Sequence, residues 1–192
     1  MDAKTPRMAG FTTAELLIVV ALGLTVTTLA TPNMLTVIAN TRLRGNITTL
    51  SGIFQNSRML AVKNNRTMTT HLSTAPQGIM AFVKLATDTS GAVATDPQVE
   101  LEAPIIEYAT PNDVSVSALD NTALGFTPLS GDASFNSRGL PCAYSAGTCS
   151  NNGFAYYFKD TRRTGTSGWA AVSISPAGRI KRWFWNGTAW GE

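Results

Sequence analysis

An uncharged segment near the N-terminus constrains this chain more than any other feature. No Asp, Glu, Lys or Arg occurs from Leu16 to Thr41, a stretch of 26 residues rich in Leu, Val, Ile and Ala. As an α-helix it would extend about 39 Å, more than the roughly 30 Å of a bilayer's hydrocarbon core. Its Thr residues are compatible with lipid, because their hydroxyls can donate to helix carbonyls. The segment therefore predicts one transmembrane helix.

The residues before this segment carry a second signal. Residues 1–10 are mostly polar, contain two bases and end in Gly10, which Phe11 follows. Glu15 stands one residue before the apolar run, where an unpaired carboxylate is costly. No base lies within a few turns on its C-terminal side. Cleavage after Gly10 would create an amine on Phe11, and that amine could neutralise Glu15 of a neighbouring subunit.

This arrangement resembles the processing site of type IV pilins and type II secretion pseudopilins. In that family a prepilin peptidase cuts after the Gly and methylates the new N-terminal Phe, which here implies Gly10 and Phe11. Glu15, four residues after Phe11, would set the register of the filament. Pro32 also matches, since it lies 22 residues into the processed chain, where pilin helices often carry a kinking proline.

Two other interpretations of the N-terminus stay open at this point. One is an ordinary secretory signal cleaved after the apolar run, although no clear small-x-small site follows it. The other is an uncleaved membrane anchor. Two bases precede the span and two, Arg42 and Arg44, follow it closely, so charge does not fix the orientation. The pilin resemblance implies a single pass through the bacterial inner membrane, with the C-terminal domain in the periplasm until the subunit enters a filament.

Beyond Pro32 the apolar residues recur at helical spacing. The stripe consists of Leu43, Ile47, Leu50, Phe54 and Ala61, with Ile53 and Leu60 alongside. The pair Asn64-Asn65 is a plausible stop, because Asn tolerates the left-handed cap conformation. We therefore predict one helix over 11–65, with a break near Pro32 and a transmembrane half at about 11–35.

Residues 66–192 read as a β-rich domain. Short apolar or alternating segments predict strands at 66–73, 79–85, 99–107, 114–119, 154–159, 169–175 and 179–185. Residues 176–178 (Pro-Ala-Gly) and 186–187 (Asn-Gly) predict turns. The expected fold class is α+β, with a long N-terminal helix packed on a C-terminal antiparallel sheet domain.

The order of these features is similar to the GspH/FimT group of minor pilins. The similarity rests on the N-terminal segment, on Phe135-Asn136-Ser137-Arg138-Gly139 and on Gly178-Arg179, and it is weak over 86–130. It implies a pilin-like subunit with a leader at 1–10, a helix at 11–65 and a periplasmic domain at 66–192. The implied partners are the prepilin peptidase, other pilins or pseudopilins and inner-membrane lipid, in a type IV pilus or a type II secretion pseudopilus.

The composition argues against catalysis and against a metal centre. One histidine, His71, and two cysteines are too few for zinc sites. His71 in a Thr-rich strand is expected to be a surface or satisfied polar residue. Glu100, Glu102 and Glu107 are typical of a solvated strand edge, the alternative being a pair of acids for glycoside chemistry. No nucleophile elbow or phosphate loop occurs, so we expect an assembly protein without a cofactor.

The two cysteines have a simpler explanation. Cys142 and Cys149 enclose six residues that include a glycine. In an exported chain this spacing predicts a disulfide that staples a loop.

Charge is divided into blocks along the chain. Residues 88–132 hold eight acids and no base, whereas residues 133–192 hold seven bases and two acids. The bases fall beside aromatic residues near the C-terminal end, which favours contact with phosphate groups and stacking. The candidate DNA-binding residues are Arg179, Lys181 and Arg182, joined by Arg162 and Arg163.

A family precedent supports this candidate site. Some FimT-like minor pilins bind double-stranded DNA during natural transformation through a Gly-Arg-x-Arg element. Here the corresponding residues are Gly178-Arg179-Ile180-Lys181, so Lys replaces the second Arg and the bidentate fork is lost. The alternative is that Trp183 and Trp185 pack in the core while the bases pair with the acidic block.

Overall fold

The computed structural model describes residues 12–76, 78–102, 105–108, 111, 117–163 and 167–192, with the backbone alone for 29–33 and 106–108. The chain divides into two compact units, 1–39 and 40–192. The described part of the first unit is almost entirely helical. The second unit contains the rest of that helix and all of the described strands.

Helix α1 runs from Thr13 to Asn64. It ends as expected: Asn65 takes a left-handed φ of 51°, its N–H donates to the Val62 carbonyl at 3.2 Å, and the Arg66 N–H donates to the Ala61 carbonyl at 3.1 Å. These two bonds form a Schellman cap. The break expected near Pro32 is not seen as an interruption, since α1 is helical on both sides of that residue. A single proline removes one hydrogen bond, which a long helix can tolerate.

The apolar stripe in the second half of α1 is buried. Its members, Leu43, Ile47, Leu50, Ile53, Phe54 and Ala61, all lie in the main core, and Leu60 packs against them. Phe54 stacks on Tyr156 of the domain with ring centroids 5.2 Å apart. The helical spacing therefore identified the face that packs on the sheets.

The described part of the domain contains twelve strands and one short helix, α2. In chain order they are β1 (Met68–Ala75), β2 (Gly78–Leu85), β3 (Gln98–Glu102), β4 (Ile105–Tyr108), α2 (Asn121–Leu124), β5 (Pro128–Leu129), β6 (Ala133–Phe135), β7 (Pro141–Ser145), β8 (Thr148–Asn151), β9 (Gly153–Asp160), β10 (Trp169–Ile174), β11 (Ile180–Trp185) and β12 (Trp190–Gly191). Together with α1 they confirm the α+β class.

The strands form two sheets. The first has the order β3-β2-β1-β6-β7-β8, and the second has the order β12-β11-β10-β9-β4. All these neighbours pair antiparallel, while β5 adds a short parallel pairing to β9. Both predicted turns are present, because residues 175–179 join β10 to β11 and residues 186–189 join β11 to β12.

The second sheet is buried on both faces. Along β9, Phe154, Tyr156 and Phe158 belong to the core shared with α1. The residues between them, Ala155 and Tyr157, belong to a second core that includes Trp169 and Trp183. Alternation along a strand explains this division.

Part of the acidic stretch covers this second core. The Leu119 N–H donates to the Tyr157 hydroxyl at 3.0 Å, and Trp190 Nε1 donates to the Ser117 carbonyl at 2.8 Å. Leu119 itself is buried there. The stretch with the weakest family resemblance therefore contributes to the packing of this chain.

Two strand predictions need correction. The single strand expected at 99–107 is two strands, β3 and β4, which belong to different sheets. A strand was also expected at 114–119. Residues 117–119 are not part of a strand, and residues 114–116 lie outside the described residues. Strands β5 to β8 and β12 were missed, because two to five residues are too few to show an alternating pattern.

Candidate functional site

The side chains of Thr12 and Glu15 cap the N-terminal end of α1. Glu15 Oε2 accepts from the Thr12 N–H and from the Thr12 hydroxyl, both at 3.0 Å, and the Glu15 N–H donates to Thr12 Oγ1 at 3.2 Å. This reciprocal pair is a capping box. The Thr-x-x-Glu motif at residues 12–15 is the sequence signal for this cap. Gly10 and Phe11 lie outside the described residues.

The first half of α1 presents its apolar side chains to the surroundings. Its large hydrophobic residues from Leu16 to Val26 are between 51% and 70% exposed. The hydroxyls of Thr25 and Thr28 donate to carbonyls one turn back, as those of Thr48 and Thr49 do in the second half of α1. Within the described residues, no helix combines the length and the apolarity needed to cross a membrane.

The two glycine-containing motifs meet at one arginine of α1. Gly139 and Gly178 both have positive φ, 75° and 82°, in turns that only glycine adopts readily. Arg58 donates to the Gly178 carbonyl at 3.2 Å, and a Cβ on Gly139 would lie 3.1 Å from both Arg58 and Val62. These turns are therefore structural joints, and the one at Gly178 places the start of β11 beside α1.

Three of the predicted DNA-binding bases line one open groove of about 500 Å³. We call it the basic groove, and its lining residues are Arg44, Thr48, Arg179, Ile180, Lys181, Arg182, Phe184 and Glu192. Arg182 donates to Thr48 Oγ1 at 3.0 Å. The Arg44 guanidinium lies 4.2 Å from the centre of the Phe184 ring. Arg44 was not among the predicted residues, because its position on the helix face becomes visible only when β11 docks.

The remaining two predicted bases diverge from the groove. Arg162 forms a bidentate ion pair with the fully buried Asp160. Its Nη2 donates to Oδ2 at 2.9 Å, and its Nε donates to Oδ1 at 3.1 Å. Burial raises the pKa of Asp160, but hydrogen bonds and charge from Arg162 outweigh this and leave that pKa below its usual value. Arg163 instead donates to Asn40 Oδ1 of α1. The five bases therefore do not form one patch.

Arg163 belongs to a neighbouring pocket of about 260 Å³, which we call the Arg44–Arg163 pocket. It is lined by Asn40, Leu43 and Arg44 of α1, by Arg163 and residues 167–169, and by residues 184–187. Arg44 and Phe184 line both the pocket and the basic groove. Sequence analysis gave no sign of this pocket, since its residues come from three distant segments.

The alternative explanation of the C-terminal region is half right. Trp183 is buried in the second core and donates to Ser173 Oγ at 2.8 Å, while Trp185 is half-buried. The other half is wrong for the described residues, where Lys181 pairs with Glu192 and not with the acidic block. Of the strands of that block, β4 is separated from β11 by β9 and β10 in the second sheet, and β3 belongs to the first sheet.

The acidic block pairs with other bases. Lys84 is a buried residue near the C-terminal end of β2. Its Nζ lies 3.3 Å from Asp88 Oδ2 and 3.5 Å from Asp96 Oδ2. The Lys84 and Ser90 contacts hold the pKa of Asp88 down at about 2, with the bonds from Ser90 the larger cause. His71 Nδ1 lies 2.7 Å from Asp132 Oδ2, whereas His71 Nε2 is buried without a hydrogen-bond partner among the described residues. The expectation of a satisfied polar residue therefore holds for one ring nitrogen and not for the other.

Two of the three candidate glutamates of the acidic block have described side chains, and both are exposed. Glu100 and Glu102 are exposed on the edge strand β3, in line with a solvated edge. The Glu107 side chain lies outside the described residues. Among the described residues, no group of three His, Cys, Asp or Glu is placed to hold a metal ion.

The predicted disulfide is present. Cys142 and Cys149 are bonded, with their Cα atoms 5.3 Å apart. They lie on β7 and β8, which form an antiparallel hairpin at the edge of the first sheet. The bond therefore staples an edge hairpin, as expected from the spacing.

Two solved structures are similar to this chain over most of its length. Both are crystal structures of the type IV minor pilin FimU from Pseudomonas aeruginosa strain PAO1, in different crystal forms. The first has a TM-score of 0.46 and 16% identity, and covers 74% of this chain and 88% of that chain. The second has a TM-score of 0.45 and 16% identity, and covers 72% and 90%. No protein-family model matches the chain, and no curated protein matches its sequence.

Both of these structures are of a minor pilin. The features of this chain that bear on its function are the two halves of α1 and the basic groove.

Proposed function

We propose that this protein is a filament subunit of the minor pilin or pseudopilin type. The observation that carries the proposal is the contrast between the two halves of α1. The apolar stripe from Leu43 to Ala61 is buried against the sheets, whereas the apolar residues from Leu16 to Val26 are exposed. Exposed apolar area costs about 25 cal/mol per Å² in water. Inner-membrane lipid would cover this segment first, and the helices of other pilins would cover it in the filament.

Processing by a prepilin peptidase is the second part of the proposal. Cleavage after Gly10 would give Phe11 a free amine, which the same enzyme would methylate. The capping box satisfies hydrogen bonds of Glu15 but brings no positive charge to it. The Phe11 amine of a neighbouring subunit would supply that charge and fix the axial register. Such a contact would serve a type IV pilus and a type II secretion pseudopilus alike.

Replacing Gly10 by Leu is expected to block processing, because a bulky side chain would occupy the cleavage position. The chain would be produced beside a prepilin peptidase, and the mass of the membrane-bound form would be measured. The wild type should lose residues 1–10, and the Gly10→Leu form should keep them. Retention of the leader by the wild type itself would rule out this processing.

Substitutions of Glu15 separate its charge from its capping role. Glu15→Gln keeps the capping box, since Gln can replace Glu there, but removes the charge. We expect this variant to be cleaved normally and to enter filaments at least about tenfold less, because an unmatched amine is costly in an apolar bundle. Thr12→Ala is the matched control, since it removes the cap and keeps the charge. Normal incorporation of Glu15→Gln, measured by immunoblot of sheared filaments, would contradict the register role.

DNA binding at the basic groove is a second candidate function. It is favoured by the placement of Arg179, Lys181 and Arg182 with Arg44 around one open groove. Such a groove suits phosphate groups, whose binding releases counterions and weakens steeply with salt. A subunit with this property would act as a DNA receptor in natural transformation.

The double variant Arg179→Ala/Lys181→Ala tests this role. We expect duplex DNA to bind at least about tenfold more weakly. We also expect the slope of log binding constant against log salt concentration to fall by the amount that corresponds to about two phosphate contacts. Lys63→Ala/Arg138→Ala is the control, because it removes the same charge from exposed positions outside the groove. Binding would be followed by fluorescence anisotropy of labelled DNA across a salt series. If the two double variants lost the same affinity for DNA, the effect would come from net charge and not from the groove.

A further inference from the structure

The Arg44–Arg163 pocket has the donor set of an anion site. Two guanidinium groups and the Asn40 amide line it, and none of its lining residues is acidic. Within the described part of the chain, neither guanidinium forms a salt bridge. Guanidinium groups bind phosphate and carboxylate oxygens with strong, directional hydrogen bonds.

Trp185 contributes to the wall of the pocket, although its indole N–H is shielded from solvent and has no hydrogen-bond partner among the described residues. A buried N–H left unpaired costs about 1–3 kcal/mol, so such groups normally have a partner. Trp190, which packs edge-on against Trp185, donates its own N–H to a carbonyl.

The two arginines are held in place before any ligand arrives. Arg44 lies over the Phe184 ring at 4.2 Å, and Arg163 donates to Asn40. Gly168, with a φ of 84°, leaves room for the Arg163 side chain, because a Cβ there would come within 2.8 Å of it. Positioned donors lose less entropy on binding than free ones.

The sequence places this pocket beside the predicted membrane segment. The uncharged segment ends at Thr41, and the pocket residues Asn40, Leu43 and Arg44 follow or overlap that end. With the whole uncharged segment centred in a bilayer, its end at Thr41 lies about 4.5 Å beyond a hydrocarbon core of about 30 Å. Arg44 then lies about 9 Å beyond the core, at the outer edge of a headgroup layer that adds about 5–8 Å on each side. Basic pockets at this level bind anionic headgroups.

From these observations we propose that the Arg44–Arg163 pocket binds the phosphate of an anionic phospholipid headgroup. The inference rests on the proposed membrane anchoring, and it adds a specific lipid contact to it. Arg44 and Arg163 would bind the phosphate oxygens, with the Asn40 side chain beside them. The contact would hold the domain near the membrane until the subunit is extracted.

The test uses the full chain in a mild detergent, with bound lipid counted by native mass spectrometry. We expect phosphatidylglycerol to be retained at least about tenfold more strongly than phosphatidylcholine. Arg44→Ala and Arg163→Ala should each weaken retention about tenfold, the loss of a charge-assisted contact.

Arg42→Ala is the matched control. It removes the same charge from the same helix two residues away, at an exposed position outside the pocket. We expect less than about a twofold change, and a loss equal to that of Arg44→Ala would overturn the proposal by showing diffuse attraction. Arg163→Lys should fall between wild type and Arg163→Ala, and it covers the case in which the alanine variant unfolds.

Two competition arms distinguish other sources of phosphate. Inorganic phosphate binding as tightly as the lipid would overturn the lipid assignment, and so would displacement of the lipid by a short DNA duplex. Failure of both competitors to bind in place of the lipid supports the assignment. Lipid retention in detergent requires neither cleavage after Gly10 nor filament assembly. A loss of lipid binding with normal processing would therefore count against the pocket alone.

Discussion

Replacing Phe54 by Ala is expected to lower the free energy of unfolding by about 3–5 kcal/mol. Phe54 is fully buried where α1 packs on the second sheet, and it stacks on Tyr156. Truncation removes the ring contacts and leaves a cavity between two rigid elements that cannot close around it. Urea unfolding followed by tryptophan fluorescence measures the loss, because all four tryptophans lie within residues 169–190.

Met59→Ala is the control for this prediction. Met59 lies on the same helix, and 64% of it is exposed, so its truncation should change stability by less than about 0.5 kcal/mol. Similar small losses for both variants would mean that the helix is not docked through Phe54. In that case the buried stripe would not explain how α1 is held to the domain.

The double substitution Cys142→Ala/Cys149→Ala is expected to cost about 2.5 kcal/mol of stability. The disulfide closes a loop of about eight residues, and its loss returns conformational freedom to the unfolded chain. The hairpin of β7 and β8 lies at a sheet edge, where β8 has no further neighbouring strand among the described residues. Urea unfolding with and without a thiol reductant measures the effect.

The reductant provides the internal check for the disulfide. It should lower the stability of the wild type by about as much as the double substitution does, and it should leave the double variant unchanged. If the reductant lowered the stability of the double variant by the same amount, the loss of stability would not come from this disulfide. An unchanged wild type, with reduction confirmed by mass, would contradict a stabilising role.

The sequence predicted the architecture well wherever a pattern was long. The stripe from Leu43 to Ala61 repeats over five turns, so its periodicity identified the buried face of α1. The stop at Asn64 and the two turns of the last hairpins also followed from residue type alone. Short strands such as β5 and β12 carry only two residues each, and pairing with a neighbour defines them.

The candidate binding residues were predicted only in part. Arg179, Lys181 and Arg182 are close in sequence and lie along one groove, as local proximity suggested. Arg162 and Arg163 are adjacent in sequence but serve different partners, Asp160 and Asn40. The direction of a side chain in a loop depends on what packs beside it, so adjacency did not predict a shared role.

The sequence by itself determined the uncharged N-terminal segment, the amphipathic stripe that follows it, the α+β class and the disulfide. Each of these depends on residues that are near one another in the chain, where spacing and polarity act directly. Tertiary structure alone decided which bases line the groove, that Arg44 joins them, and that Arg58 links the turns at Gly139 and Gly178. Those contacts join residues up to about 140 positions apart, and they exist only because docking α1 on the sheets brings distant side chains together.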